Sequence, residues 1–240
     1  MKDIQSQFDS RRINIKKVGV KKVSYPIIVR DKSQKKQHTI ATANLYVNLP
    51  HEFKGTHMSR FVEILNECRG EITMKSFSSI LVKMKERLDA EASHLELEFP
   101  YFTKCEKNGR DYVANYKCAM HGSLLKEGNL TLSIDVPICL PNFEKKQERL
   151  PGSMGSWGTV QVSVRFNQFF WIEDLLELIE KSVERELNET FHNTSGSLSV
   201  ESLSKTVASG LEDTNEIEWF SVTVHNFGDD FSTFAAVKSC

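Results

Sequence analysis

Cysteine and proline are scarce in this 240-residue chain, with five and six copies respectively. The thiols Cys68, Cys105, Cys118, Cys139 and Cys240 form no CxxC pair and no close ladder with histidine. An odd, scattered set speaks against a disulfide scaffold or a structural zinc knuckle, and leaves reduced thiols as the expectation. No apolar run approaches the ~18 residues that a membrane-crossing helix needs, and the polar opening residues carry no signal-peptide core. An excess of one charge is missing too: 31 Lys and Arg face 32 Asp and Glu, a formal net charge of −1. That balance supplies no field for nucleic acid or for an anionic membrane surface. The expectation is a soluble, cytoplasmic chain working without either. Local basic runs, from Arg11 and Arg12 to Lys35 and Lys36, read as solvated strand faces and loops.

The chain does have apolar residues at two clean periods, and length enough for one large domain or two small ones. Residues 13–29 read as one or two strands, with Gly19 a candidate bulge or bend, and 39–49 alternate as their hairpin partner beyond a lysine-rich connection. Residues 59–68 and 76–90 read as helices, through Phe61, Ile64 and Leu65 and then Phe77, Ile80, Leu81, Met84 and Leu88. Leu95, Leu97 and Phe99 alternate with Glu96 and Glu98, and 112–120 is the hairpin partner across a turn at 106–109. The order then repeats, with strands at 130–138 and 160–166, helices at 171–187 and 199–211, and strands at 217–224 and 231–237. Two successive ββααββ units follow, at 1–125 and 126–240. This is an α+β fold of antiparallel sheets, each backed by a helix pair. A four-stranded sheet of this type has open edges and one uncovered face, so self-association is expected.

Between the second strand and the first helix stand Lys54, Gly55, Thr56, His57, Met58, Ser59, Arg60 and Phe61. Gly55 allows a tight turn, and Thr56 or Ser59 can cap the first free amides of the helix. A helix N-terminus favours an anionic group, with His57 and Arg60 able to face the same crevice. A plainer role suits the same residues: a well-capped helix whose two polar side chains stand in solvent.

The octet resembles the motif of the type IB GTP cyclohydrolases, of the tunnelling-fold superfamily. The resemblance extends to Tyr25-Pro26-Ile27-Ile28-Val29, Phe99-Pro100-Tyr101-Phe102 and Trp171-Ile172-Glu173-Asp174-Leu175, and covers most of the chain in order. It implies tandem tunnelling-fold (T-fold) units in one chain, a homo-oligomeric barrel (dimer or tetramer) and sites between subunits. The implied reaction opens the imidazole ring of GTP at C8, releases formate and rebuilds a pterin ring. Such chemistry calls for a metal to acidify a water, a carboxylate to grip the guanine edge, and cations to hold the triphosphate. By resemblance Glu201 is the substrate-anchoring acid, Glu173 is a further matching acid, and His57, Ser59 and Arg60 complete a pocket for a purine- or pterin-like molecule. Lys54, Arg60 and Arg185 remain to meet a triphosphate. Both acids also suit an ordinary helix start, where the dipole favours a carboxylate.

The family's metal ligands do not carry over. After Val136-Pro137, Asn142 stands at a ligand cysteine, Met154 at the following histidine, and Phe231 at a histidine beyond Asn226-Phe227. The connection that in the family brings a metal-binding Glu and basic residues is shorter here by roughly ten residues, against ordinary loop variation. Asn is a poor zinc ligand and Met selects soft ions. No metal is expected at the usual position, and zinc or manganese enters only under a different alignment. Cys139, with His192 and His225 in the same half, is the candidate for a relocated site or a catalytic thiol, though a buried Cys is commonly a small hydrophobe. Asp229 and Asp230 suit a solvated turn, and Cys118 and His121, at odd strand spacing, point to opposite faces. Three readings follow. One is an enzyme that grips a fused heterocycle but runs altered chemistry, with His57 as general acid and base because imidazole titrates near neutral pH. Another is a metal-dependent GTP cyclohydrolase forming dihydroneopterin triphosphate. The third is a non-catalytic T-fold partner subunit.

Overall fold

The computed structural model describes residues 15–51, 56–68, 70–107, 110–139, 157–192, 198–228 and 230–239. The elements run β1 (Ile15–Asp31), β2 (Lys35–Leu49), α1 (Met58–Asn66), α2 (Met74–Arg87), β3 (Ala92–Lys107) and β4 (Arg110–Leu124). They continue as β5 (Gly128–Ile138), β6 (Gly158–Phe166), α3 (Ile172–His192), α4 (Val200–Glu212), β7 (Ile217–Phe227) and β8 (Ser232–Lys238). The order ββααββ thus occurs twice, as the periodicity predicts. The strands hydrogen-bond in chain order, β1 through β8, in one eight-stranded sheet. Two separate sheets do not form, because the short bend at 125–127 turns β5 straight back onto β4. The expected boundary between repeats, at 125/126, falls in that bend.

By compactness the chain divides into one unit of residues 1–100 with 119–131 and another of 101–118 with 132–240. In the first, the β1–β2 hairpin closes on Asp31. Its Oδ1 accepts from the Ser33 amide at 2.9 Å, the Ser33 hydroxyl at 2.8 Å and the Gln34 amide at 2.5 Å. Gly19 is not itself the bulge: it pairs with Tyr46, and the register slips on either side of it. The left-handed residue is Lys22, φ 58°, whose amide donates to Asn44 Oδ1. Gly19 answers to crowding instead, since a Cβ there would lie 1.9 Å from the Leu45 carbonyl oxygen. Alternate residues of β2 (Ala41, Ala43, Leu45, Val47, Leu49) are buried with Phe61, Ile64 and Leu65 of α1 and Phe77, Ile80, Leu81 and Met84 of α2. Each large aliphatic side chain so buried is worth about 1.5–3 kcal/mol relative to exposure. Helix α2 starts on a capping box in which Thr73 and Ser76 each hold the other's backbone amide.

The second unit repeats these devices. Ile134, Val136 and Ile138, Val160, Val162 and Val164, and Val222 and Val224 form the buried side of β5, β6 and β7. Leu175, Ile179 and Val183 of α3 and Leu203, Val207 and Leu211 of α4 join them. Gly158 is the counterpart of Gly19, its missing Cβ 1.9 Å from the His225 carbonyl oxygen. Helices α3 and α4 run antiparallel and close. A Cβ on Gly210 would come within 2.9 Å of Ser182 Oγ and 3.4 Å of Leu178 Cδ2.

Candidate functional site

In the first unit, Lys54 and Gly55 of the octet lie outside the described residues. Helix α1 begins with His57 as its N-cap, φ −77° and ψ 112°, and no side chain caps it. The expected cap by Thr56 or Ser59 is therefore corrected: Thr56 is buried one residue too early, and Ser59 is exposed inside the first turn. The Arg60 amide donates to the His57 carbonyl at 3.2 Å, and no acidic residue occupies the first turn. The positive end of the helix dipole thus stands beside a half-buried imidazole.

Arg60 is engaged by a neighbouring helix. Its Nη1 donates to the Arg87 carbonyl at 3.1 Å, at the C-terminal end of α2, where a cation is favoured by the helix dipole. Arg87 in turn grips Glu67 through both guanidinium nitrogens, with Lys83 Nζ 2.8 Å from the same carboxylate. The Arg87 and Lys83 hydrogen bonds hold Glu67 down to about 2. Arg60, Glu63, Ile64 and Arg87 line a shallow depression of about 250 Å³.

Glu173 and Glu201 both fall in first helical turns of the second unit, as predicted. Glu173 Oε1 accepts from the buried Tyr101 hydroxyl at 2.7 Å. Glu201 is exposed, and no hydrogen bond or ion pair among the described residues takes up its carboxylate. Its backbone is well fixed: the Ser204 hydroxyl donates to the Glu201 carbonyl at 2.9 Å, and Ser199 Oγ caps the helix through the Ser202 amide at 3.0 Å. The fold does not bring the two acids together within the chain. Glu186 of α3 faces Ser202 and Thr206 of α4, and the roughly 13 residues of helix back to Glu173 span about 20 Å at the α-helical rise.

Glu186 itself escaped the reading of the sequence. It is only 7% exposed, with its two oxygens accepting from the Ser202 hydroxyl and, at 2.6 Å, from the Thr206 hydroxyl. Its signal was present, because an acid at 186 continues the apolar stripe of Leu175, Ile179 and Val183. Arg185 Nη2 reaches the Thr206 carbonyl at 3.5 Å. A second polar group also went unread, on the face of β2 and β3 opposite the core. There Asn44 and Tyr46 donate to Glu96 at 2.9 and 2.8 Å, His94 stacks on Tyr46 at 4.7 Å, and Lys17 lies over the Tyr46 ring. Burial and the Glu96 bond push the Tyr46 phenol up to about 12. Burial also drives Glu96 upward, but the Asn44 and Tyr46 bonds outweigh it and hold the acid below its ordinary range.

Cys139 is a free, exposed thiol just beyond β5. It is followed by residues outside the description, Asn142 and Met154 among them. His225 sits two strands away in β7, about 10 Å at ordinary strand spacing, and tilts against Phe234 at 6.0 Å. Asp230 is exposed and Asp229 lies outside the described residues. Cys118 is fully buried and His121 exposed, on opposite faces as predicted; burial pushes the Cys118 thiol up to about 12. Phe231, at the position of a family histidine, is 74% exposed. Among the described residues no three His, Cys, Asp or Glu side chains stand close enough to hold a metal ion, and no helix is long and apolar enough to cross a membrane.

A family model described as type I GTP cyclohydrolase FolE2 matches residues 1–228. GTP cyclohydrolase FolE2 of Syntrophotalea carbinolica is 41% identical, over 99% of this chain and 95% of its own length. The corresponding protein of Syntrophobacter fumaroxidans is 43% identical, over 99% of both. Among solved structures, a highly active mutant of Bacillus sp. TB-90 urate oxidase superposes with a TM-score of 0.57 at 10% identity, covering 94% of this chain and 99% of that one. A hyper-thermostable AgUricase mutant does so at 0.58 and 10% identity, over 93% and 91%. At such identity these two likenesses bear on the fold alone.

Proposed function

The chain belongs to the type I GTP cyclohydrolase family of FolE2 proteins, and from that membership we propose that it binds GTP or a closely related fused heterocycle in a site built between subunits. The observation that carries this reading is Glu201. Its carboxylate is exposed on a rigidly held first turn and engaged by none of the described residues of its own chain. It is thus available to accept from N1–H and the 2-amino group of a guanine together. His57 supplies a general acid and base at a helix N-terminus suited to phosphate oxygens. The tandem T-fold arrangement belongs to the same proposal, supported by the urate oxidase likeness and by the doubled ββααββ order, and so does the homo-oligomeric barrel, which would cover open sheet edges. The protein acts in the cytoplasm.

Family chemistry draws on a metal-activated water. The donor types at the corresponding positions, Asn142 and Met154, suit no hard, hydroxide-generating ion, and the described residues offer no alternative triad. Altered chemistry on the bound ring is therefore part of the proposal. Calorimetric titration with GTP tests the reading. Glu201→Ala is expected to weaken binding by at least tenfold, since hydrogen bonds to a charged group are worth about 1.5–3 kcal/mol. Unchanged affinity would remove the anchor. Formate release from GTP that appears only when zinc or manganese is added back to chelated protein would replace altered chemistry with a metal-dependent cyclohydrolase.

A further inference from the structure

We infer that Glu186 is a positioning residue for the Glu201 carboxylate, acting through Ser202; this rests on Glu201 being the heterocycle anchor. Glu186 lies at the α3–α4 interface, 7% exposed, and Ser202 and Thr206 donate to its two oxygens. Those hydroxyls are four residues apart, on one face of α4, so a single carboxylate clamps one full turn of that helix. Ser202 is held twice, its amide on Ser199 Oγ and its hydroxyl on Glu186. Glu201 is its immediate neighbour, displaced by roughly 100° around the axis. Any rotation of α4 that swung the Glu201 carboxylate would have to break the Ser202 bond.

A second contact, deeper along the same pair, makes the lock stiff. Gly210 lets α4 lie close against Ser182 and Leu178, where a Cβ would come within 2.9 Å of Ser182 Oγ. Mere adhesion between helices does not require an acid here. A buried carboxylate is costly to desolvate, and an apolar residue of similar size commonly packs at least as well. What the acid adds is a fixed angle, which a greasy contact does not set.

The test is calorimetric titration of the full chain with GTP, alongside thermal unfolding followed by circular dichroism. Glu186→Leu and Ser202→Ala are expected to weaken binding by about tenfold each, given the steep dependence of recognition on placement. Unfolding temperatures should move little, and Ser202→Thr should restore what Ser202→Ala loses. The inference is overturned if Glu201→Ala abolishes binding while both Glu186→Leu and Ser202→Ala, folded, bind GTP as the parent does. If Glu201→Ala itself binds normally, the anchor reading and this inference fall together. Should Glu186→Leu not fold, the Ser202→Ala and Ser202→Thr pair decides alone.

Discussion

Gly19 and Gly158 show what a single residue contributes when two backbones must nearly touch. Each lies against a carbonyl oxygen of the adjoining strand, where a methyl group would intrude to 1.9 Å. Gly19→Ala is expected to cost about 2–3 kcal/mol through overpacking that only backbone movement can relieve, measurable as a lowered urea midpoint with unchanged slope. The sequence signals a glycine in a strand but not its reason, because crowding by Leu45 depends on a register that no local pattern states. Arg60 is similar. Its partner, the carbonyl of Arg87, lies 27 positions away, and nothing in the octet points there. Glu201 and Glu173 were legible because acids at helix starts follow a rule. Glu186 was legible in principle and overlooked, since an acid on an apolar stripe is easily passed over as a break in the pattern.

At the scale of elements, the twelve among the described residues follow from periods of two and 3.6, most boundaries shifting by a few residues, while β3 runs on to Lys107, well past the alternation that ends at Phe99. Caps read less well. Helix α2 takes its Thr73 and Ser76 box, whereas α1 passes over the nearby hydroxyls and starts on His57, because the backbone angles there, not the residue type, decide which position is the cap. The α1–α2 joint carries its own pH dependence. Glu67, drawn down to about 2 by Arg87 and Lys83, has a folded value below its ordinary 4.5. The pairing therefore contributes fully above the unfolded value and is lost as pH falls from 4.5 toward about 2. Melting temperatures recorded across that window should fall less steeply in Glu67→Gln, and high salt should flatten the parent's decline as well, since the group is exposed and screened. Identical acid limbs in both proteins would show that the triad contributes nothing.

For the whole molecule, the doubled order of elements was visible and the joining of the sheet was not. Alternation tells which residues of β4 and β5 face inward but is silent on whether the two strands pair, which the tight bend at 125–127 decides. At one end of that strand order β8 presents the exposed Phe234, 67% accessible. The antiparallel run of α3 and α4 then has a genetic corollary. With Glu173 and Glu201 at opposite ends of one helix pair, a ligand touching both must borrow them from different polypeptides. Two crippled proteins, Glu173→Ala and Glu201→Ala, each inert alone, should then regain part of their turnover of GTP when unfolded and refolded as a mixture, because some mixed assemblies would contain pockets with neither lesion.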